Sequence, residues 1–180
     1  MGAFQAWLVQ TLASVDLVEG FMRTRWGWPA MESVHFMGLT LLFGSIAAWD
    51  LRLLGVAKRV PIAAFHRLVP FAVLGFAINA SSGSMFLMTE PDQYIYNRAF
   101  HFKLMFLALA GFNVLVFYLT IFRRVRALGP GAPEPHLARI SGGVSLICWI
   151  GVIICGRLIT FYRPDLCGAA VGFLADCIIR

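Results

Sequence analysis

Four stretches of this chain stay apolar for roughly 20 residues or more, the length a helix needs to cross about 30 Å of hydrocarbon at 1.5 Å per residue. They lie at about 30–54, 61–88, 97–122 and 140–162. In lipid every backbone N–H and C=O must be satisfied within the protein, so spans of this kind fold as helices. Composition agrees: 59% of residues are hydrophobic and 13% charged, about half the charge of a soluble domain, which leaves too few polar side chains to coat a water-facing surface. The expected fold class is therefore all-α: a polytopic membrane protein, an up-down bundle of four transmembrane helices forming a single membrane domain over residues 1–180. Disorder is excluded at this hydrophobicity.

The excess of 15 Lys and Arg over 9 Asp and Glu does not point to nucleic acid, because the basic residues gather at span ends. Arg52, Lys58, Arg59 and Arg67 flank the first connection, and Arg123, Arg124, Arg126 and Arg139 flank the last. Basic clusters beside span ends mark the cytoplasmic side. With an even number of spans both termini then lie on the other side, the periplasm of a bacterial inner membrane. The lipid bilayer is the expected partner, together with other membrane subunits.

Before the first span, Phe4, Trp7, Leu8, Leu12, Val15 and Val18 recur at helical spacing, so residues 1–28 read as an interfacial helix. Asp16 and Glu19 interrupt the apolar run and no basic residue starts it, which argues against a signal peptide. The tail, 164–180, is apolar but too short to span, and is expected on the periplasmic surface. Its Cys167 and Cys177 are candidates for a disulfide in an oxidising compartment. Cys148 and Cys155 lie seven apart in the fourth span and read as buried thiols. No CxxC pair exists to hold a metal or attach a haem.

Depth is the informative property of the histidines. His35 lies about five residues inside the outer end of the first span and His101 about four inside that of the third, so both sit roughly 6 to 8 Å below one membrane face. In an up-down bundle these two helices are diagonal, near 14 Å apart if neighbours are about 10 Å apart. Two imidazoles and a six-coordinate iron would bridge such a gap, which makes His35 and His101 candidate axial ligands of a b-type haem. At the same depth Ser82 and Gly83, with Ser84, offer small side chains to a flat ring, while Arg157 and Lys103, with Arg98, offer cations to propionates. The same residues equally suit close helix packing, snorkelling, or an Arg157 pairing with Glu32. A quinone cleft would use a similar set. Glu32 and His35 also share the spacing of carboxylate and histidine metal sites, and His35 with Met31 or Met37 and with Met85 or Met88 of the second span could hold Cu(I). His66 reads as interfacial and His136 as solvated in the Pro-rich loop. Asp50 and Arg52 close the first span and read as an interfacial pair.

The runs Glu32-Ser-Val-His35-Phe-Met-Gly38, Trp49-Asp-Leu-Arg-Leu-Leu-Gly55, Ala99-Phe100-His-Phe-Lys103 with Asn113, and Trp149-Ile-Gly-Val-Ile-Ile-Cys-Gly-Arg157 resemble an uncharacterised family of small four-helix bacterial inner-membrane proteins. That family is distantly similar to the membrane domain of copper-resistance D proteins and, in architecture, to b-type four-helix cytochromes. The resemblance implies a shared cluster of Glu32, His35, Lys103 and Arg157, and supplies no activity. Three readings follow: a membrane subunit of an electron-transfer system with haem or quinone near the periplasmic face, a non-catalytic accessory subunit of a larger membrane complex, or passage of copper or a small molecule. No phosphate loop, nucleophile elbow or triad is present, so an enzyme acting on its own is not expected.

Overall fold

The computed structural model describes residues 2–13, 16–129 and 131–162. These form α1 (Gly2–Ala13), α2 (Asp16–Met22), α3 (Gly27–Leu53), α4 (Ile62–His66), α5 (Val69–Thr89), α6 (Pro91–Ile95), α7 (Arg98–Thr120), α8 (Phe122–Arg126) and α9 (His136–Ile159). No strand occurs among the described residues. Four helical stretches, Gly27–Leu53, Ile62–Thr89, Arg98–Thr120 and His136–Ile159, are long and apolar enough to cross a membrane. The chain is an all-α, multi-pass membrane protein. Large apolar side chains such as Phe112, Leu119 and Ile147 are exposed along these helices, as lipid-facing surfaces require.

The ends of the helices follow from local chemistry. Where the sequence places the first span from about residue 30, α3 begins at Gly27, because the Thr24 hydroxyl oxygen accepts from the Gly27 N–H at 3.1 Å and satisfies an otherwise unpaired amide. It ends in a Schellman arrangement: Val56 N–H donates to Leu51 C=O at 2.9 Å and Gly55 N–H to Arg52 C=O at 3.1 Å. Gly55 takes the positive φ of 99° that this turn needs. The second apolar stretch breaks at Arg67 and Leu68. Pro70 lacks the N–H that would bond the His66 carbonyl, so the helix restarts as α5. Asn97 caps α7, its side-chain oxygen accepting from the Ala99 N–H at 2.9 Å. The fourth span starts at His136, four residues earlier than the apolar pattern suggests. Pro135 is suited to the start of a helix, and its carbonyl accepts from Ala138 at 2.9 Å.

The chain groups into two compact units, and each of the four long helices contributes a segment to both. One unit comprises Met1–Met37, Ile78–Leu104 and Val152–Arg180; the other comprises Gly38–Ala77 and Met105–Gly151. In the first unit α1 packs against α6. The fully buried Asn97 donates to the Ile159 carbonyl at 3.3 Å, and Gln93 donates to the same oxygen at 3.4 Å, which anchors the end of α9. Carbonyls at a helix C-terminus have no partner of their own helix, so these two amides replace water there.

In the second unit Leu53, Ile62, Phe117, Ile121, Val125 and Ala138 form a buried cluster flanked by Trp49, Phe122 and Leu128. Helices approach closely where side chains are absent. A Cβ on Gly75 would lie 2.5 Å from the Leu42 amide nitrogen, and one on Gly142 would lie 3.0 Å from the Asp50 carbonyl oxygen. This is the small-residue packing that stands in for the hydrophobic drive between helices in lipid. The first and last connections meet through Arg52, whose side chain is 1% exposed and pairs with Glu134. Its Nε also donates to the Val60 carbonyl at 2.9 Å, and Gly131 N–H donates to the Lys58 carbonyl at 3.0 Å. Arg52 therefore does not pair with Asp50 as the sequence suggests. Two residues apart on a helix, the two side chains point about 200° apart around the axis, and a loop 82 positions away supplies the carboxylate.

Candidate functional site

All the residues singled out for a haem or copper site fall in the first unit. His35, on α3, is partly buried and turns toward α5, where its Nδ1 lies 2.8 Å from Ser82 Oγ and its ring meets Phe86 edge-on at 5.7 Å. Ser82 Oγ also lies 2.7 Å from the Ile78 carbonyl oxygen, which can only accept. The hydroxyl has one proton. If that proton goes to Ile78, Ser82 accepts from His35, whose imidazole is then the Nδ1–H form with a lone pair on Nε2. Among the described residues Nε2 has no hydrogen bond. Gly83 completes this surface, since a Cβ there would meet His35 Cε1 at 3.8 Å.

Lys103 on α7 is partly buried, lies within electrostatic range of His35, and lays its Nζ against α9, 3.7 Å from where a Cβ of Gly156 would stand. The structure thus brings His35, Ser82, Gly83 and Lys103 into one neighbourhood. His101 is exposed on α7, with its ring 6.4 Å from that of Phe100. Arg157 is exposed and sits over the Phe161 ring at 4.8 Å. Glu32 is exposed, and no ion pair joins it to Arg157 among the described residues. No three His, Cys, Asp or Glu side chains converge as a metal site among the described residues. Cys148 and Cys155 are free and buried, whereas Cys167 and Cys177, with the 164–180 tail, lie outside the described residues.

The second unit carries features the sequence reading did not assemble. His66 is not simply interfacial: its ring packs against Trp49 at 5.7 Å and Phe122 at 5.0 Å, and its Nε2 lies 3.3 Å from the Tyr118 hydroxyl. His136 is exposed, as expected, but opens α9 rather than sitting in the loop. Most informative is a cavity of about 390 Å³, whose walls come from α3, α5 and the segment just before it, α7 and α9. They are mainly apolar and aromatic, including Trp49, Phe76 and Phe117, with a polar stripe along α9 made by Ser141, Ser145 and Trp149. These are four apart and so share a helix face. Asn113 and Ser141 bond each other, side-chain amide to backbone carbonyl and hydroxyl to side-chain carbonyl, both at 3.1 Å. Asp50, 3% exposed, bonds Ser145. Its Oδ2 and the Trp149 Nε1 are buried without a hydrogen-bond partner. Helical spacing of Ser141, Ser145 and Trp149 was visible in the sequence, but their partner helix was not.

A family of unknown function, DUF6644, matches residues 20–162. The chain belongs to this family. The match takes in α3 through α9 and therefore both the His35 neighbourhood and the cavity. No curated protein and no solved structure matches the chain.

Proposed function

We propose that this DUF6644 protein is a membrane subunit of a redox or electron-transfer system, set in a bacterial inner membrane with both termini periplasmic, and that His35 faces its cofactor. The observation that carries the reading is the 2.8 Å contact between His35 Nδ1 and Ser82 Oγ. Ligating histidines usually have their other ring nitrogen held by a hydrogen bond that sets the tautomer and orientation, and the Ser82 contact at 2.8 Å supplies this for Nδ1. With Nδ1 so held, His35 Nε2 would be free to hold the iron of a b-type haem together with His101 of α7, exposed here, and the haem would supply one-electron transfer. Gly83 leaves room beside the His35 ring. Lys103 and Arg157 would carry charge for the propionates.

The test is the visible spectrum of the detergent-purified full chain, oxidised and dithionite-reduced, after expression with added haem precursor. A reduced α band lost in both His35→Ala and His101→Ala supports the reading. A colourless protein, or a band that survives both substitutions, refutes it. Orientation is checked separately by labelling single cysteines placed in the loop of residues 54–61, which should react only from the cytoplasmic side.

A further inference from the structure

At the end of the second unit where α3 stops and α9 starts, positive charge stands without any balancing carboxylate. Arg59, Arg67, Arg123, Arg124, Arg126 and Arg139 are exposed there, and no hydrogen bond or ion pair engages their guanidinium groups among the described residues. Asp50 and Glu134 are the acids of this unit among the described residues, and neither is available: Asp50 is buried, and Glu134 is closed against Arg52 with the Lys58 ammonium close by. Cations beside span ends set topology wherever on the ends they stand, but two of these arginines are placed together. Helix α4 packs against α8, with the rings of His66 and Phe122 5.0 Å apart. Arg67 directly follows His66 and Arg123 directly follows Phe122, so this ring pair sets two unneutralised guanidinium side chains on adjoining backbones. The same rings hold the exposed Tyr118, whose ring lies 4.7 Å from that of Phe122 and whose hydroxyl lies 3.3 Å from His66 Nε2. Where Nε2 carries the imidazole proton and donates to the phenol oxygen, the phenol proton is left for an outside acceptor.

What lies one turn deeper narrows the ligand. Phe71 on α5 comes four residues after Arg67, and Leu119 on α7 four residues before Arg123; both are exposed. Because α8 continues α7 after the single residue Ile121, itself in the helical region, Leu119 and Arg123 follow each other along one helix face. Each arginine thus stands at the boundary with a lipid-facing apolar side chain beneath it. An acidic protein segment or a free phosphate would use the charge alone, whereas a phospholipid uses both parts. The arginine fork matches two phosphate oxygens, and the unpaired arginines around the pair favour a headgroup of net negative charge over a zwitterionic one. We infer that the junction of α4 and α8 binds the headgroup of an anionic phospholipid, its phosphate held by Arg67, Arg123 and the Tyr118 hydroxyl and its acyl chains lying along Phe71 and Leu119. The site shares no residue with the His35 neighbourhood, and binding is measurable on a colourless protein.

The experiment titrates dioleoyl phosphatidylglycerol into the delipidated full chain in a neutral detergent. Native mass spectrometry counts the bound lipid, and the unfolding midpoint is followed with it, since a ligand specific to the folded state raises that midpoint. Saturation at about one tightly held phosphatidylglycerol per chain is expected, with dioleoyl phosphatidylcholine about tenfold weaker. Arg67→Gln and Arg123→Gln should each weaken binding roughly five- to tenfold, whereas Arg25→Gln, which removes the same charge from the first unit, should leave it unchanged. Tyr118→Phe keeps the ring and loses only the hydroxyl, so about threefold weaker binding is expected; it replaces either arginine variant that does not fold. Inorganic phosphate at millimolar concentration should not displace the lipid. Equal binding of phosphatidylcholine, equal weakening in Arg25→Gln, or displacement by inorganic phosphate alone overturns the inference. So does an absence of saturable phosphatidylglycerol binding, which would leave the patch to an acidic protein partner.

Discussion

Substituting Glu134 should destabilise this protein more than any other single change in its loops. Arg52 is held at 1% side-chain exposure by three acceptors, the Glu134 carboxylate and the Val60 and Lys58 carbonyls, and the carboxylate is the only one with a full charge. Glu134→Ala leaves the guanidinium buried with two carbonyls, and breaking a buried pair in this way costs about 3–5 kcal/mol. Glu134→Gln keeps an acceptor but loses the charge assistance, so about 1.5–3 kcal/mol is expected. Arg52→Met combined with Glu134→Leu removes both charges and should recover most of the loss.

The pair also sets an acid limit. Burial works to raise the Glu134 carboxyl, but the hydrogen bond from Arg52, a backbone hydrogen bond and the charges of Arg52 and Lys58 outweigh it and hold the group below its ordinary value. A carboxyl so depressed contributes stability that is complete above about 4.5, the ordinary value, and is lost as the pH falls through the depressed one. Urea or thermal unfolding of the detergent-solubilised chain, followed by circular dichroism from neutral pH down to acid, measures both effects. A Glu134→Ala variant within about 1 kcal/mol of the parent, or a Glu134→Gln variant with the parent's full acid dependence, would refute this account of the Arg52 pair.

Further outcomes concern packing and caps. Gly75→Ala should cost about 1–3 kcal/mol through overpacking, because its Cβ would lie 2.5 Å from the Leu42 nitrogen, whereas Gly111→Ala, which meets nothing within 4 Å, should be near neutral; unfolding midpoints compare the two. Asn97→Ala removes the cap of α7 and the bond to Ile159, and about 1–2 kcal/mol should be lost in the same assay. Cys148 and Cys155, buried and unpaired, should resist alkylation by a water-soluble maleimide in the folded protein and react on unfolding, with mass spectrometry as the readout.

His35, His101 and the residues at their depth illustrate how far a sequence reaches into a site. Matched depth along two spans drew His35 and His101 together, because rise per residue is a property of any helix. The direction in which each side chain faces depends on how the helices are rotated. His35 turns inward to Ser82 while His101 is exposed. The Ser82 and Gly83 pair was legible as a small-residue surface, and the structure sets His35 against it. Asp50 shows the opposite case. Its neighbour Arg52 made an interfacial pair the natural expectation, yet the carboxyl belongs to a cavity with Ser145 and Trp149 that no local pattern announces.

The sequence by itself determined the all-α membrane class of the protein and its four helices long and apolar enough to span. Those properties depend on solvent and on local rules: lipid demands a run of apolar residues with internally bonded backbone, and glycine, proline and small polar residues start and stop helices wherever they stand. Tertiary structure alone decided which helix faces meet, that Glu134 closes over Arg52 from 82 residues away, and that a cavity remains between helices of the second unit. A four-helix chain that is apolar on most of its surface has no strong pattern to orient each helix about its axis. The close contacts at Gly75 and Gly142, and the few buried polar groups that must find partners across the bundle, supply that information only once the helices are packed.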